Sequence, residues 1–441
     1  MNTAPTPARR PTWLLQALFG WLHLALTAPS VYLWLGLPLV MRQHGWSGTA
    51  IGLFQLAGLP ALAKFALAAP VEARDARGRS RYRTWALALG LAYAVVLLAL
   101  GWQQLLAERL WLFGLAFAAA LAATWADVPV SALAIRLLPP EERMRAGGVR
   151  AAALSLGAIV GGGAMLLVQA RWGWRAPFLC LAGALALGAL LLAWVVRREP
   201  DEAPGPPQRS APTGLAAQVR GYGAQPGAWH WTLVLVSYFP FIGTAWFYLK
   251  PLMLDHGFAP AQAAWLAGLG GGVVAAVSAA ASPLLTRRLG TARALPLYAG
   301  LNAAALALLA AVVAAGAPTA GMAAAVLAVA TAMGMSSACV FGFMMQFARP
   351  RSQAFDYGLQ ASLFAASRML VPLAAGVALD AAGAAAMLAG LALDAAGAAA
   401  MLAGLALAAG LAWWWARRCA AHAWAEGACA PPAYSRWRSD A

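Results

Sequence analysis

The chain is a succession of long apolar runs broken by short polar and basic turns. Twelve runs, at 13–40, 49–71, 84–102, 111–135, 149–169, 175–196, 229–251, 260–285, 294–315, 319–345, 358–379 and 398–416, are each long enough to cross a hydrocarbon core of about 30 Å as a helix. A helix satisfies its own backbone in lipid, and runs this long exclude the alternating strands of roughly ten residues that build a membrane barrel. The pattern predicts an all-α polytopic membrane protein with 12 transmembrane helices. One segment differs: RREPDEAPGPPQRSAPTGLAAQVRGYGAQPG (197–227) is rich in Pro, Gly and charge. It divides the chain into a six-helix bundle over 1–200, a cytoplasmic linker over 201–228, a second six-helix bundle over 229–417 and a cytoplasmic tail over 418–441. Similar basic turns follow the second run of each half, EARDARGRSRYR at 72–83 and TRRLGTAR at 286–293, as expected of two related bundles.

Composition agrees with the pattern. The chain is 62% hydrophobic and 10% charged, with a mean hydropathy of +0.68, where a soluble domain carries about a quarter charged residues. The net charge of +16 changes the picture only through its placement. Of 31 Lys and Arg, 24 fall on one side of the predicted membrane and five on the other, with Lys64 and Arg368 inside spans. In that count Arg150 belongs to the turn between spans four and five. The bias places both termini in the cytoplasm, in a bacterial inner membrane, and argues for topology rather than a nucleic-acid face. The opening MNTAPTPARRPTW has a basic patch without a cleavage site and reads as a cytoplasmic end. Four cysteines form no framework and are expected as reduced thiols. Walker, HExxH and Cys/His metal motifs are missing from the sequence, so no cofactor, metal or catalytic group is expected. The expected partners are a small-molecule substrate, protons and lipid, with the chain a monomer.

Charges inside spans carry the candidate chemistry. Lys64 in span two and Asp127 in span four lie at similar depth, where a lone charge costs about 2.5–3.5 kcal/mol on insertion scales. Either Lys64 binds an anionic substrate while Asp127 takes up a coupling proton, or the two form a structural ion pair. Arg368 falls in the middle of span eleven and is a bidentate carboxylate ligand, or else the partner of a backbone carbonyl or of an acid on another span. Asp356, Tyr357 and Gln360 open span eleven, Tyr357 and Gln360 as candidate substrate contacts, though Asp and Gln there also serve as caps. His23, well inside span one, is a core histidine or a proton relay. Glu72, Asp75 and Arg77 after span two, and Glu142 and Arg143 after span four, are candidate gating residues. Lys250 anchors the outer end of span seven or acts at a gate there. Gly161–Gly163 and Gly270–Gly272 are expected to serve close helix packing.

Four stretches carry a family resemblance: AKFALAAPVE (63–72), TWADVPVSALAIRLLPPEER (124–143), FYLKPLMLDHGFAPAQAAWL (247–266) and FDYGLQASLFAASRMLVPLAAG (355–376). With the twelve-span pattern, they resemble the major facilitator superfamily, and within it the AmpG-like muropeptide permeases and the siderophore permeases of the rhizobactin and pyochelin type. Two departures stand out. The turn after span two lacks the usual Gly-x-x-x-Asp opening, and Trp125-Ala126-Asp127 stands where a Gln-Asp pair is usual. The resemblance implies a proton-driven secondary transporter importing a bulky anionic solute by alternating access. A ferric siderophore leads, with a muropeptide as the alternative. A membrane sensor or an intramembrane enzyme is the reading from another class. It lacks an output domain in the one case and a clustered nucleophile, base or metal site in the other.

LDAAGAAAMLAGLA at 379–392 recurs unchanged at 393–406. Fourteen residues add about 3.9 helical turns, a phase slip of only about 40°, so an in-frame duplication at the hairpin of the last two spans leaves the inward face nearly unrotated. Deletion of Leu393–Ala406 is expected to leave transport unchanged. Loss of uptake by the shortened chain would give the second copy a role.

Overall fold

The computed structural model describes residues 11–73, 81–102, 106–197, 214–316 and 319–388. The described residues are overwhelmingly helical, with no strand among them. Ten stretches are long and apolar enough to cross a membrane: Thr12–Gln43, Gly48–Glu72, Tyr82–Trp102, Arg109–Leu137, Pro140–Trp172, Arg175–Val195, Ala228–Leu254, Pro260–Leu289, Thr291–Val313 and Thr319–Phe347. They coincide with runs one to ten and are called spans one to ten. Span eleven is the helix Gln353–Leu388. It continues through Asp380–Gly383, so the first of the two duplicated Asp-Ala-Ala-Gly sequences does not turn. Span twelve, the second copy of the duplication and the turn residues Asp75 and Arg77 lie outside the described residues. Within the segment read as linker, Leu215–Gly223 is a short helix.

Several spans are irregular where sequence demands it. Span one carries Pro29, which cannot donate a helical hydrogen bond, and the helix widens to a π turn at Tyr32–Gly36. Span two is a 3-10 helix over Leu56–Ala63, with Pro60 inside it, and becomes α-helical at Lys64. Spans five and eight have π turns at Val160–Ala164, which takes in the whole first glycine triplet, and Ala264–Gly270, which ends on the first glycine of the second. Spans one and five cross at their π turns: a Cβ on Gly161 would lie 2.1 Å from the Ala28 carbonyl oxygen.

The seam between the first six spans and the later ones is built from small residues. A Cβ on Gly147 of span five would lie 2.2 Å from the Gly342 amide nitrogen of span ten, and one on Gly148 2.8 Å from the Ala279 carbonyl of span eight. A Cβ on Gly358 of span eleven would touch Ala68 of span two at 3.1 Å. Lipid tails compete with any apolar side chain, so helices in a membrane hold together by close backbone approach, and glycine permits the closest.

Gly147→Val is therefore expected to push spans five and ten apart, at the 1–3 kcal/mol typical of overpacking. Its melting temperature should fall. The thiol of Cys339, buried on span ten, should react faster with a maleimide. An unchanged labelling rate would mean that the seam tolerates the added bulk.

Candidate functional site

Span four carries its chemistry on one face: Asp127 and Ser131 are one helical turn apart. Span five brings Arg150 to that face, and its guanidinium grips Asp127 as a fork. Nη1 donates to Oδ1 at 2.8 Å and Nη2 to Oδ2 at 2.8 Å. Nη1 also donates to the Ser131 hydroxyl at 2.9 Å. From span two, the Lys64 ammonium donates to Asp127 Oδ2 at 2.7 Å. From span one, His23 Nδ1 lies 3.0 Å from Arg150 Nη1 and 3.4 Å from Asp127 Oδ1. Arginine only donates, so the ring nitrogen facing it accepts; His23 Nε2 also lies 3.4 Å from Nη1, and in the tautomer where Nε2 accepts, Nδ1–H points at Asp127 as a donor.

All four side chains are largely withdrawn from solvent, with Lys64 the most accessible of the three charged ones at 14%. One carboxylate faces two permanent cations, which leaves the cluster with a surplus positive charge. The later spans cover it: the Phe341 ring lies 5.0 Å and the Tyr357 ring 5.4 Å from the Arg150 guanidinium carbon. Where span two changes from 3-10 to α-helix, the Phe65 amide donates to the Ser362 hydroxyl of span eleven at 3.1 Å. The cluster thus belongs to spans one, two, four and five, and span eleven closes against it.

The equal depth predicted for Lys64 and Asp127 is realised as direct contact, and His23 joins them. Arg150 is the residue that sequence reasoning misplaced. It is not in the turn but two helical turns beyond Arg143, about 10 Å into span five. The apolar run starting at 149 already enclosed it, and that was the available signal.

Arg368 stands apart from the cluster. Its guanidinium lies over Phe239 at 5.5 Å and Phe364 at 5.6 Å. Among the described residues it has no ion pair, so neither the carbonyl nor the acidic partner foreseen for it is found. Gln360 is fully buried and occupied: it accepts from Trp231 Nε1 at 2.6 Å and donates to the Met344 and Asp356 carbonyls. Asp356 is held by Arg349, Nη2 to Oδ1 at 2.6 Å and Nε to Oδ2 at 2.8 Å, and Arg349 also donates to the Gln218 carbonyl of the short helix Leu215–Gly223.

Glu72 joins the two sides of the seam. Its carboxylate accepts from the Tyr82 hydroxyl at 2.6 Å and from the Phe355 amide, in the first turn of span eleven, at 3.0 Å. Glu142 accepts from Gln16 Nε2 and lies 3.8 Å from Arg145, while Arg143 donates to the Ile135 carbonyl. These contacts stay within the first six spans. Lys250 is exposed near the C-terminal end of span seven. Among the described residues no three His, Cys, Asp or Glu side chains converge as a metal site would require.

The family model described as Major Facilitator Superfamily matches residues 19–372. The anhydromuropeptide permease of Escherichia coli K12 is 25% identical over 218 residues, 49% of this chain and 43% of the permease. The chain thus matches less than half the length of that relative. Among solved structures, the Escherichia coli fucose:proton symporter superposes with a TM-score of 0.69 at 16% identity, over 92% of this chain and 99% of the symporter. The human organic anion transporter MFSD10 gives 0.67 at 16% identity, over 93% and 100%. A bacterial homologue of the iron transporter ferroportin, in an outward-facing state, gives 0.66 at 15% identity, over 93% and 99%. At these identities the likeness is one of fold.

Breaking a buried ion pair costs about 3–5 kcal/mol because the remaining charge is left uncompensated. Arg150→Gln and Asp127→Asn should each lower the melting temperature, and the double substitution should cost clearly less than the two single losses together. Strictly additive losses would show that the fork carries no coupling energy.

Proposed function

The chain belongs to the Major Facilitator Superfamily and is a multi-pass membrane transporter rather than an enzyme, and from that premise we propose that it imports an anhydromuropeptide-like anionic solute in symport with protons. The observation that carries this reading is the surplus cation: Asp127 is shared by Lys64 and Arg150 inside the membrane. A carboxylate of the substrate would take Lys64 from Asp127. Asp127, left with one cation fewer, would then take up a proton, with His23 beside it as the relay. Binding of the anion and the proton together leaves the net charge of the cluster unchanged, which couples the solute to the proton. The nature of the solute rests on the anhydromuropeptide permease among the relatives. The ferric siderophore suggested by the twelve-span pattern has no comparable support and serves as the competing arm of the assay.

Transport would follow by rocking of the two helical bundles about this cluster. Glu72 would act as the gate: its bond to the Phe355 amide ties the two sides of the seam together. By the bias of basic residues this end faces the cytoplasm, both termini lie there, and the membrane is the bacterial inner membrane. The conformation described is therefore closed toward the cytoplasm.

In proteoliposomes with an inward proton gradient, labelled anhydromuropeptide should accumulate and a ferric siderophore should not. Asp127→Asn should abolish gradient-driven accumulation by at least about tenfold while retaining exchange of labelled for unlabelled solute. Full pH-dependent accumulation in Asp127→Asn would remove this residue from the coupling step. Accumulation of the siderophore instead would replace the substrate.

A further inference from the structure

Two cations inside the membrane await an anion. One is the surplus charge of the Lys64–Asp127–Arg150 cluster. The other is Arg368, half a span away along span eleven. Neither has a carboxylate to spare among the described residues: Asp127 is shared by two cations, and Asp356 and Glu72 are taken by Arg349 and by Tyr82 and Phe355. Arg368 is exposed, yet the rings beneath it, Phe239 and Phe364, are each only 5% exposed and belong to the core. Its head therefore rests on core rings that lead toward the cluster. An uncompensated guanidinium at that depth is costly unless a ligand completes it.

The two cationic centres are joined by a row of rings. Phe341, stacked under Arg150, meets Phe364 edge-to-face at 5.5 Å, and Phe364 in turn packs against Phe239 at 5.2 Å. Arg368 lies over the last two. Steps of 5.0, 5.5 and 5.6 Å from Arg150 through Phe341 and Phe364 put the two guanidinium carbons no more than about 16 Å apart. Phe341, Phe364 and Phe239 all belong to the later spans, whereas Lys64 and Arg150 belong to the earlier ones. A ligand that reached both centres would thus touch both sides of the seam.

We propose that the transported solute carries two separated anionic groups, one docking at Lys64 on the first bundle and the other at Arg368 on the second. This rests on the reading of Lys64 as an anion site and deepens it: the solute is a dianion whose charged ends reach both centres. A single anion would leave one centre uncompensated, and a solute anchored at both ends bridges the two bodies that must rock together. Arg368 is then the specificity residue of the second bundle, and it suits a carboxylate because it offers two parallel donors.

The test uses the full chain in detergent and a defined probe, the peptide acetyl-Ala-Glu-Ala, with its side-chain and terminal carboxylates free, against its two monoamides. Affinity is read from ligand-induced shifts in melting temperature. The dicarboxylate should bind roughly tenfold more tightly than either monoamide, the factor expected from one charge-assisted contact. In Arg368→Gln that advantage should vanish, and Arg368→Lys should restore part of it. Equal affinity for all three peptides in the unaltered protein would overturn the proposal, as would an advantage that survives Arg368→Gln. Muropeptide uptake is scored separately. A protein that prefers the dicarboxylate but does not accumulate muropeptide keeps the two-anion site and loses only the substrate named above.

Discussion

Everything near the middle of this molecule is arranged around one carboxylate. Asp127 lies where a charge is expensive to bury, and it is made tolerable by a guanidinium fork, an ammonium group and the hydroxyl that shares the guanidinium. Four helices must be placed for this: span four supplies the acid, span five the fork, span two the ammonium and span one the histidine. In a low-dielectric interior such a cluster rewards one arrangement strongly and penalises near misses. The aromatic cover of Phe341 and Tyr357 then links the cluster to the opposite bundle without adding a charge.

A transporter must hold its two bundles together and also let them part. The seam of this protein meets both needs through its chemistry. The contacts are backbone against backbone, made at Gly147, Gly148, Gly342 and Gly358, with few polar bonds across them. Close packing is short-ranged and is lost with small movements, so separating the bundles does not require many strong bonds to break. The polar bonds that do cross are single and local. The Glu72 carboxylate receives the Phe355 amide, and the Ser362 hydroxyl receives the Phe65 amide. Both use a backbone group near a helix start or an irregular turn, where a donor lacks a helical partner.

The architecture was legible in the hydropathy of the chain because crossing a bilayer is a local demand: each span must be apolar over its own length, whatever its neighbours do. That is why runs one to ten coincide with the observed spans, and why Lys64, Asp127 and Arg368 announced themselves as charges in apolar surroundings. Partnership is not local. Arg150 looked like one more basic residue near a turn rich in them, and only the start of the apolar run at 149 set it apart from the other arginines of RMRAGGVR. Gln360 and Tyr357 share one face of span eleven by spacing, yet Gln360 is consumed by Trp231 and two carbonyls while Tyr357 covers Arg150.

Composition and periodicity were enough to establish a helical membrane protein with charges held inside the bilayer, because those features depend only on the transfer of each segment from water to lipid. The resemblance of four short stretches pointed to the superfamily. Which charges neutralise one another depended on how spans far apart in sequence approach. Glycines at the crossings of spans one with five and five with ten set that approach, and it decided that Asp127 is shared by two cations while Arg368 meets no acid among the described residues. Electrostatic energy falls with distance and rises steeply as water is excluded. Pairing inside a bundle is therefore a property of the packed molecule, and spacing along the chain does not contain it.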